Sequence, residues 1–134
     1  MEADIQPGAF NGSSFSLETF HIETANSNRN KILETGAFSK LQALHTVDLG
    51  NSFGTIQRKA FFDLPNLQLL SVDKMTLIAI ETEAFDQLPK LNTLDLSQQN
   101  IDSLPARTFC NLSNLTKLDL SMTNIKRIQE YSPN

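Results

Sequence analysis

Cysteine is nearly missing from this chain. Cys110 stands alone among 134 residues, so no disulfide framework, zinc finger or two-cysteine redox motif can be built within it. A cytosolic protein and a cysteine-poor piece of a secreted one both use cysteine this way. Glycine is scarce as well, at five residues, which leaves little material for a phosphate-binding loop. Excess positive charge is absent: 11 lysines and arginines face 15 aspartates and glutamates, a formal net charge of −4. That balance disfavours nucleic acid, which selects for basic patches. No apolar run reaches the roughly 20 residues that cross a bilayer. The opening Met1-Glu2-Ala3-Asp4 has neither the basic start nor the apolar stretch of a signal peptide. The expectation is a chain excised from something longer, or one that stays inside the cell. His21 and His45 have no serine, cysteine or second ligand at a meaningful position, and no metalloprotease helix motif occurs. Neither catalysis nor a cofactor nor a metal is expected.

What is present is a period. Hydrophobic residues make up 40% and charged ones 19%, so the chain is globular rather than disordered. Phenylalanines fall at Phe10, Phe38, Phe61, Phe85 and Phe109, spaced 28, 23, 24 and 24 apart. Leucines follow at Leu41, Leu64, Leu88 and Leu112, and again at Leu44, Leu67, Leu91 and Leu115. An alternating apolar pair comes next: Val47 and Leu49, Leu70 and Val72, Leu94 and Leu96, Leu118 and Leu120. Leu17, Phe20 and Ile22 are their counterparts in the first unit. Such in-phase recurrence is the signature of a repeat architecture.

The segments LNTLDLSQQNIDSLPARTF and LTKLDLSMTNIKRI resemble leucine-rich repeats of the 24-residue extracellular type. Ectodomains of Toll-like receptors, Slit-like proteins and small leucine-rich proteoglycans are built from that type. The resemblance covers about residues 5–128. It implies an α/β class fold, a right-handed solenoid of about five coils. A parallel sheet would line the concave face, with loops or short 3-10 turns on the convex one. One domain would span residues 1–134, with repeats near 5–31, 32–55, 56–79, 80–103 and 104–128, as a fragment of a longer array.

Physical reasoning supports the outline. Alternation at Leu94 and Leu96 is the period-two pattern of a strand with one buried face. The phenylalanines should stack as a spine behind the strands, each burying on the order of 150–250 Å². Three departures stand out. The family usually places Asn three residues after the last strand leucine; this chain has Ala25, Ser52, Met75, Gln99 and Thr123 there. Asn26, Asn100 and Asn124 follow one residue later. Ala25 and Met75 cannot bond backbone groups, so looser turns are expected at both. The step from Ile22 to Phe38 is 16 residues against 13 from Val72 to Phe85, and it holds the polar run Asn26–Lys31. That run reads as an edge insertion or as a ligand-contacting loop. Finally, no cysteine-rich cap closes either end. Leu118, Leu120, Ile125 and Ile128 are left for another chain, or a longer one, to cover, and a homo-oligomer through such ends is one outcome.

Function should lie on the outward strand positions. One column reads His21, Asp48, Ser71, Asp95, Asp119; a second reads Glu23, Gly50, Asp73, Ser97, Ser121; a third reads Thr19, Thr46, Leu69, Thr93, Lys117. The candidate ligand-binding residues are Asp48, Leu69, Ser71, Asp73, Thr93, Asp95, Lys117 and Asp119, with Leu69 as the apolar anchor. A basic ligand or Ca²⁺ would suit the carboxylates, although an aspartate between strand leucines is also an ordinary solvated residue. Asp95 and Asp119 would be neighbours, a placement that raises one carboxyl pKa by like-charge repulsion. Asn11-Gly12-Ser13, Asn111-Leu112-Ser113 and Asn114-Leu115-Thr116 match the N-glycosylation pattern. Cys110 reads as a small half-buried hydrophobe or, if exposed, an intermolecular thiol. The expected function is non-catalytic recognition of a protein or glycan, as in an extracellular receptor or adhesion protein. A cytosolic scaffold or effector is the alternative.

Overall fold

The computed structural model describes residues 17–22, 31–50, 52–72 and 77–129. Twelve short strands, numbered along the chain, make up its regular structure, and no helix occurs among the described residues. Five strands form one parallel sheet: β1 (Thr19–His21), β4 (Thr46–Asp48), β7 (Leu69–Ser71), β9 (Thr93–Asp95) and β11 (Lys117–Asp119). Consecutive coils pair in strict register, Thr19 with Thr46, Thr46 with Leu69, Leu69 with Thr93 and Thr93 with Lys117. Five strands bound four complete coils. The side chains sort as the alternation requires. Val47, Leu70 and Leu94 are fully buried, while their strand neighbours face out.

Elsewhere on the coil the expected loops are replaced by further strand pairs. Strands β3 (Phe38–Ser39) and β6 (Phe61–Phe62) pair at the phenylalanine corner. A second face carries β2 (Ile32–Leu33), β5 (Thr55–Ile56) and β8 (Ala79–Ile80) as one ladder. On the same face, β10 (Ser103–Leu104) and β12 (Arg127–Ile128) form another. The α/β class is therefore corrected, for the described residues, to a β-solenoid. The physical reason is coil tightness. Successive coils lie one strand spacing apart, so any extended pair of residues meets its copy and bonds it.

The spine is real. Phe38 and Phe61 stack with ring centroids 5.5 Å apart, Phe61 and Phe85 at 6.1 Å, and Phe85 and Phe109 at 6.4 Å. Phe20 meets Phe38 edge-on at 5.1 Å across the core. Phe10 lies outside the described residues. Leucines at 44, 64, 67, 88 and 91 fill the space between spine and sheet. Two backbone positions flank each phenylalanine with positive φ, and Gln98 and Met122 add a third in the last two coils. Gly36, Lys59, Glu83 and Arg107 precede the phenylalanine by two, and Lys40, Asp63, Gln87 and Asn111 follow it by two. Left-handed backbone is disfavoured for side-chain-bearing residues. Tertiary hydrogen bonding overrides that preference: Gly36 N–H donates to Lys59 O at 2.9 Å, and Lys59 N–H to Glu83 O at 3.2 Å.

Gln99 supplies the missing amide of the ladder. It is buried, and its Oε1 accepts the Leu77 N–H at 3.0 Å while its Nε2 donates to Val72 O. These two groups flank the stretch holding Met75, which itself lies outside the described residues, as does Ala25. One residue on, Asn124 Nδ2 donates to Asn100 Oδ1 at 2.8 Å, a shifted amide ladder. Most of the Asn26–Lys31 run is outside the described residues; Lys31 O accepts Gly54 N–H at 2.9 Å. On the last coil Leu118 is 38% and Ile128 65% exposed, where their counterparts Leu94 and Leu104 are at 0%.

Candidate binding face

The five-stranded sheet presents two outward columns in register. The first is Thr19, Thr46, Leu69, Thr93 and Lys117; the second is His21, Asp48, Ser71, Asp95 and Asp119. Leu69 is 37% exposed and stands between two threonines. Six of the eight sequence-derived ligand residues share this face with Leu69: Asp48, Ser71, Thr93, Asp95, Lys117 and Asp119. Asp73 lies outside the described residues, as does Glu23. The column expected to hold them is corrected. Gly50 and Ser97 are buried, because the chain turns inward after those strands, while Ser121 on the last coil is exposed.

Aspartates on the face are not equivalent. Asp48 Oδ2 meets His21 Nδ1 at 2.9 Å. Asp95 Oδ1 accepts the Ser97 N–H at 2.9 Å. Asp119 Oδ1 accepts both the Ser121 hydroxyl at 2.6 Å and the Ser121 N–H at 2.9 Å. In Asp95 and Asp119 one carboxylate oxygen thus caps the turn after the strand. The hydroxyl and then the N–H of Ser121 hold the Asp119 carboxyl below its ordinary value. The expected upward shift is absent at Asp119, because the bonds from Ser121, helped by the charge of Lys117, outweigh what desolvation adds. Among the described residues no group of three or more histidine, cysteine, aspartate or glutamate side chains can hold a metal ion.

Away from this face, Glu83 joins coils by pairing with Arg58 at 2.6 Å and Arg107 at 3.6 Å. Asn111 is exposed and donates to Asp86 Oδ1 at 3.2 Å; Asn114 is exposed and donates to Pro89 O at 2.7 Å. Both lie on the return segment, as the spacing predicts, and Asn11 is outside the described residues. Cys110 is free and half-buried. No described helix is long and apolar enough to cross a membrane. Sequence reasoning missed the second ladder face. Its residues Ile56, Ile80 and Leu104, all buried, recur at intervals of 24 and are followed at the same interval by Ile128, a period as regular as that of the phenylalanines.

Stacked parallel strands, a repeated buried leucine lattice and an open in-register face define a leucine-rich repeat solenoid. The chain belongs to the BspA-type leucine-rich repeat family: a sequence model of the BspA type leucine-rich repeat region matches residues 3–132 in six copies. That type stands where the Toll-like and Slit-like resemblance was expected. No curated protein matches the chain. Leucine-rich repeats commonly mediate protein–protein interaction.

Proposed function

We propose that the chain is a non-catalytic recognition module whose five-stranded face, concave in a right-handed coil, binds a protein partner. One observation carries this reading: outward side chains from five successive coils fall into two unbroken columns, with Leu69 exposed among threonines and carboxylates. Rows of aligned side chains on a stiff scaffold give a ligand many contacts with little reordering. A central apolar anchor with a polar surround is the usual energetic plan of an interface. Asp48, Asp95 and Asp119 favour a partner, protein or glycan, with basic groups. Lys117 marks the opposite charge at one end of the face.

The setting we propose is a receptor or adhesion protein outside the cell, as part of a longer array. Exposed Asn111 and Asn114 support it, since sugars there would leave the five-stranded face clear. Two experiments test the two halves. Partners captured by the wild-type chain should be lost by Leu69→Glu and Asp95→Lys variants with unchanged circular dichroism; retention by both variants sinks the binding-face reading. Mass spectrometry of protein passed through a secretory host should find sugar on Asn111 or Asn114. Bare asparagines would favour the cytosolic scaffold or effector.

A further inference from the structure

The second ladder face is interrupted at one place, and a proline stands at the interruption. Where coils pair on this face, the residue after the strand donates its N–H to the coil before: Gln57 to Leu33 O, Glu81 to Ile56 O and Gln129 to Leu104 O, each at 2.9 Å. The equivalent residue between β8 and β10 is Pro105, which has no N–H. The face therefore splits into β2-β5-β8 and β10-β12. No described residue donates to Ile80 O. A cleft of about 420 Å³ opens at the break, lined by Ile78, Ala79, Ile80, Ser103, Pro105 and Gln129 among others.

Two further features give the cleft a chemical polarity. Ile78 is 44% exposed and Ala79 beside it is also exposed, which makes one wall apolar. A smaller cleft that shares Ser103 and Gln129 with it is lined by Lys126 and Arg127. Neither cation has an ion-pair partner among the described residues, and Asp102 is the single carboxylate lining that end. Glu81, next to Ile80 in the same coil, already accepts the Arg58 N–H at 2.8 Å.

We propose that this break is a docking site for an extended peptide segment of a partner protein, separate from the five-stranded face. The segment carries an aliphatic side chain against Ile78 and Ala79 and a carboxylate against Lys126 and Arg127. It donates a backbone N–H to Ile80 O in place of the one that proline withholds. The two subsites are two strand spacings apart, about 10 Å, and side chains on one side of an extended chain recur every second residue, so the aliphatic and acidic residues stand four positions apart, about 13 Å, with the long basic side chains taking up the difference. Charge complementarity fixes the choice of an acidic rather than a basic ligand.

The test is an amide-shift NMR titration of the full chain with the peptide acetyl-Gly-Leu-Gly-Gly-Gly-Glu-Gly-amide. Shifts should map to residues 78–81, 103 and 127–129. The Lys126→Glu, Arg127→Glu double variant should abolish them, and so should replacing the peptide's glutamate by lysine. The Pro105→Ala variant restores the N–H and closes the ladder. It should keep its fold by circular dichroism and bind about threefold to tenfold more weakly, the worth of one hydrogen bond. Unchanged binding by Pro105→Ala, or no shifts at all, overturns the proposal. Shifts confined to residues 93–95 and 117–119 overturn it too, while leaving the five-stranded face as the binding surface.

Discussion

The side chain of Gln99 holds the backbone of Leu77, 22 residues earlier, by accepting its N–H at 3.0 Å. The same amide donates to Val72 O and to Ser97 O at 3.1 Å. It is buried, so water cannot replace it. Gln99→Ala should therefore lower stability by about 1–3 kcal/mol, because buried polar groups lose their partner. Urea unfolding measures this. A loss within error of zero would mean that these backbone groups find other partners.

Removing a ring from the middle of the spine should hurt more than removing one from its end. Phe61 is fully buried between Phe38 and Phe85, whereas Phe109 is half-buried with one stacked neighbour. Phe61→Ala should cost about 3–5 kcal/mol, and Phe109→Ala clearly less, since repeat stability sums over coil-to-coil interfaces. Equal losses in thermal or urea unfolding would contradict that additivity.

Gly36 sits at φ +76, and a Cβ added there meets no atom within 4 Å. Gly36→Ala should therefore cost about 1 kcal/mol from backbone conformation alone. Gln87 is exposed at φ +59, so Gln87→Gly should leave stability unchanged or slightly raised. A gain from Gly36→Ala or a clear loss from Gln87→Gly would show that side-chain contacts, not φ, govern these corners.

The depressed carboxyl of Asp119 predicts a pH response. A carboxylate whose folded pKa is lowered adds stability above its unfolded value, near 3.8. That contribution fades as pH falls from there through the folded value. Ser121→Ala removes the hydroxyl, the largest cause, and should move the Asp119 pKa upward toward the ordinary one. Carboxyl carbon shifts followed by NMR between pH 2 and 6 read it directly. An unmoved midpoint would assign the depression to the backbone N–H alone.

Much of the fold was legible because burial is written in a period. Leu70, Leu94 and their neighbours could be placed inside, and Asp95 and Lys117 outside, from alternation alone. Side-chain sorting on a strand is local, so the residues alone set the coil count within one unit, the spine, the sheet and the columns of its face. The remainder depends on contacts between coils. Positive φ at Lys59 and Glu83, the reach of Gln99 to Leu77, the turn cap that lowers Asp119, and the ladders opposite the main sheet all arise where one coil lies on the next. Pro105 joins the two levels. Its missing N–H is a property of the residue, but the place where that N–H is needed exists only once β8 lies beside β10.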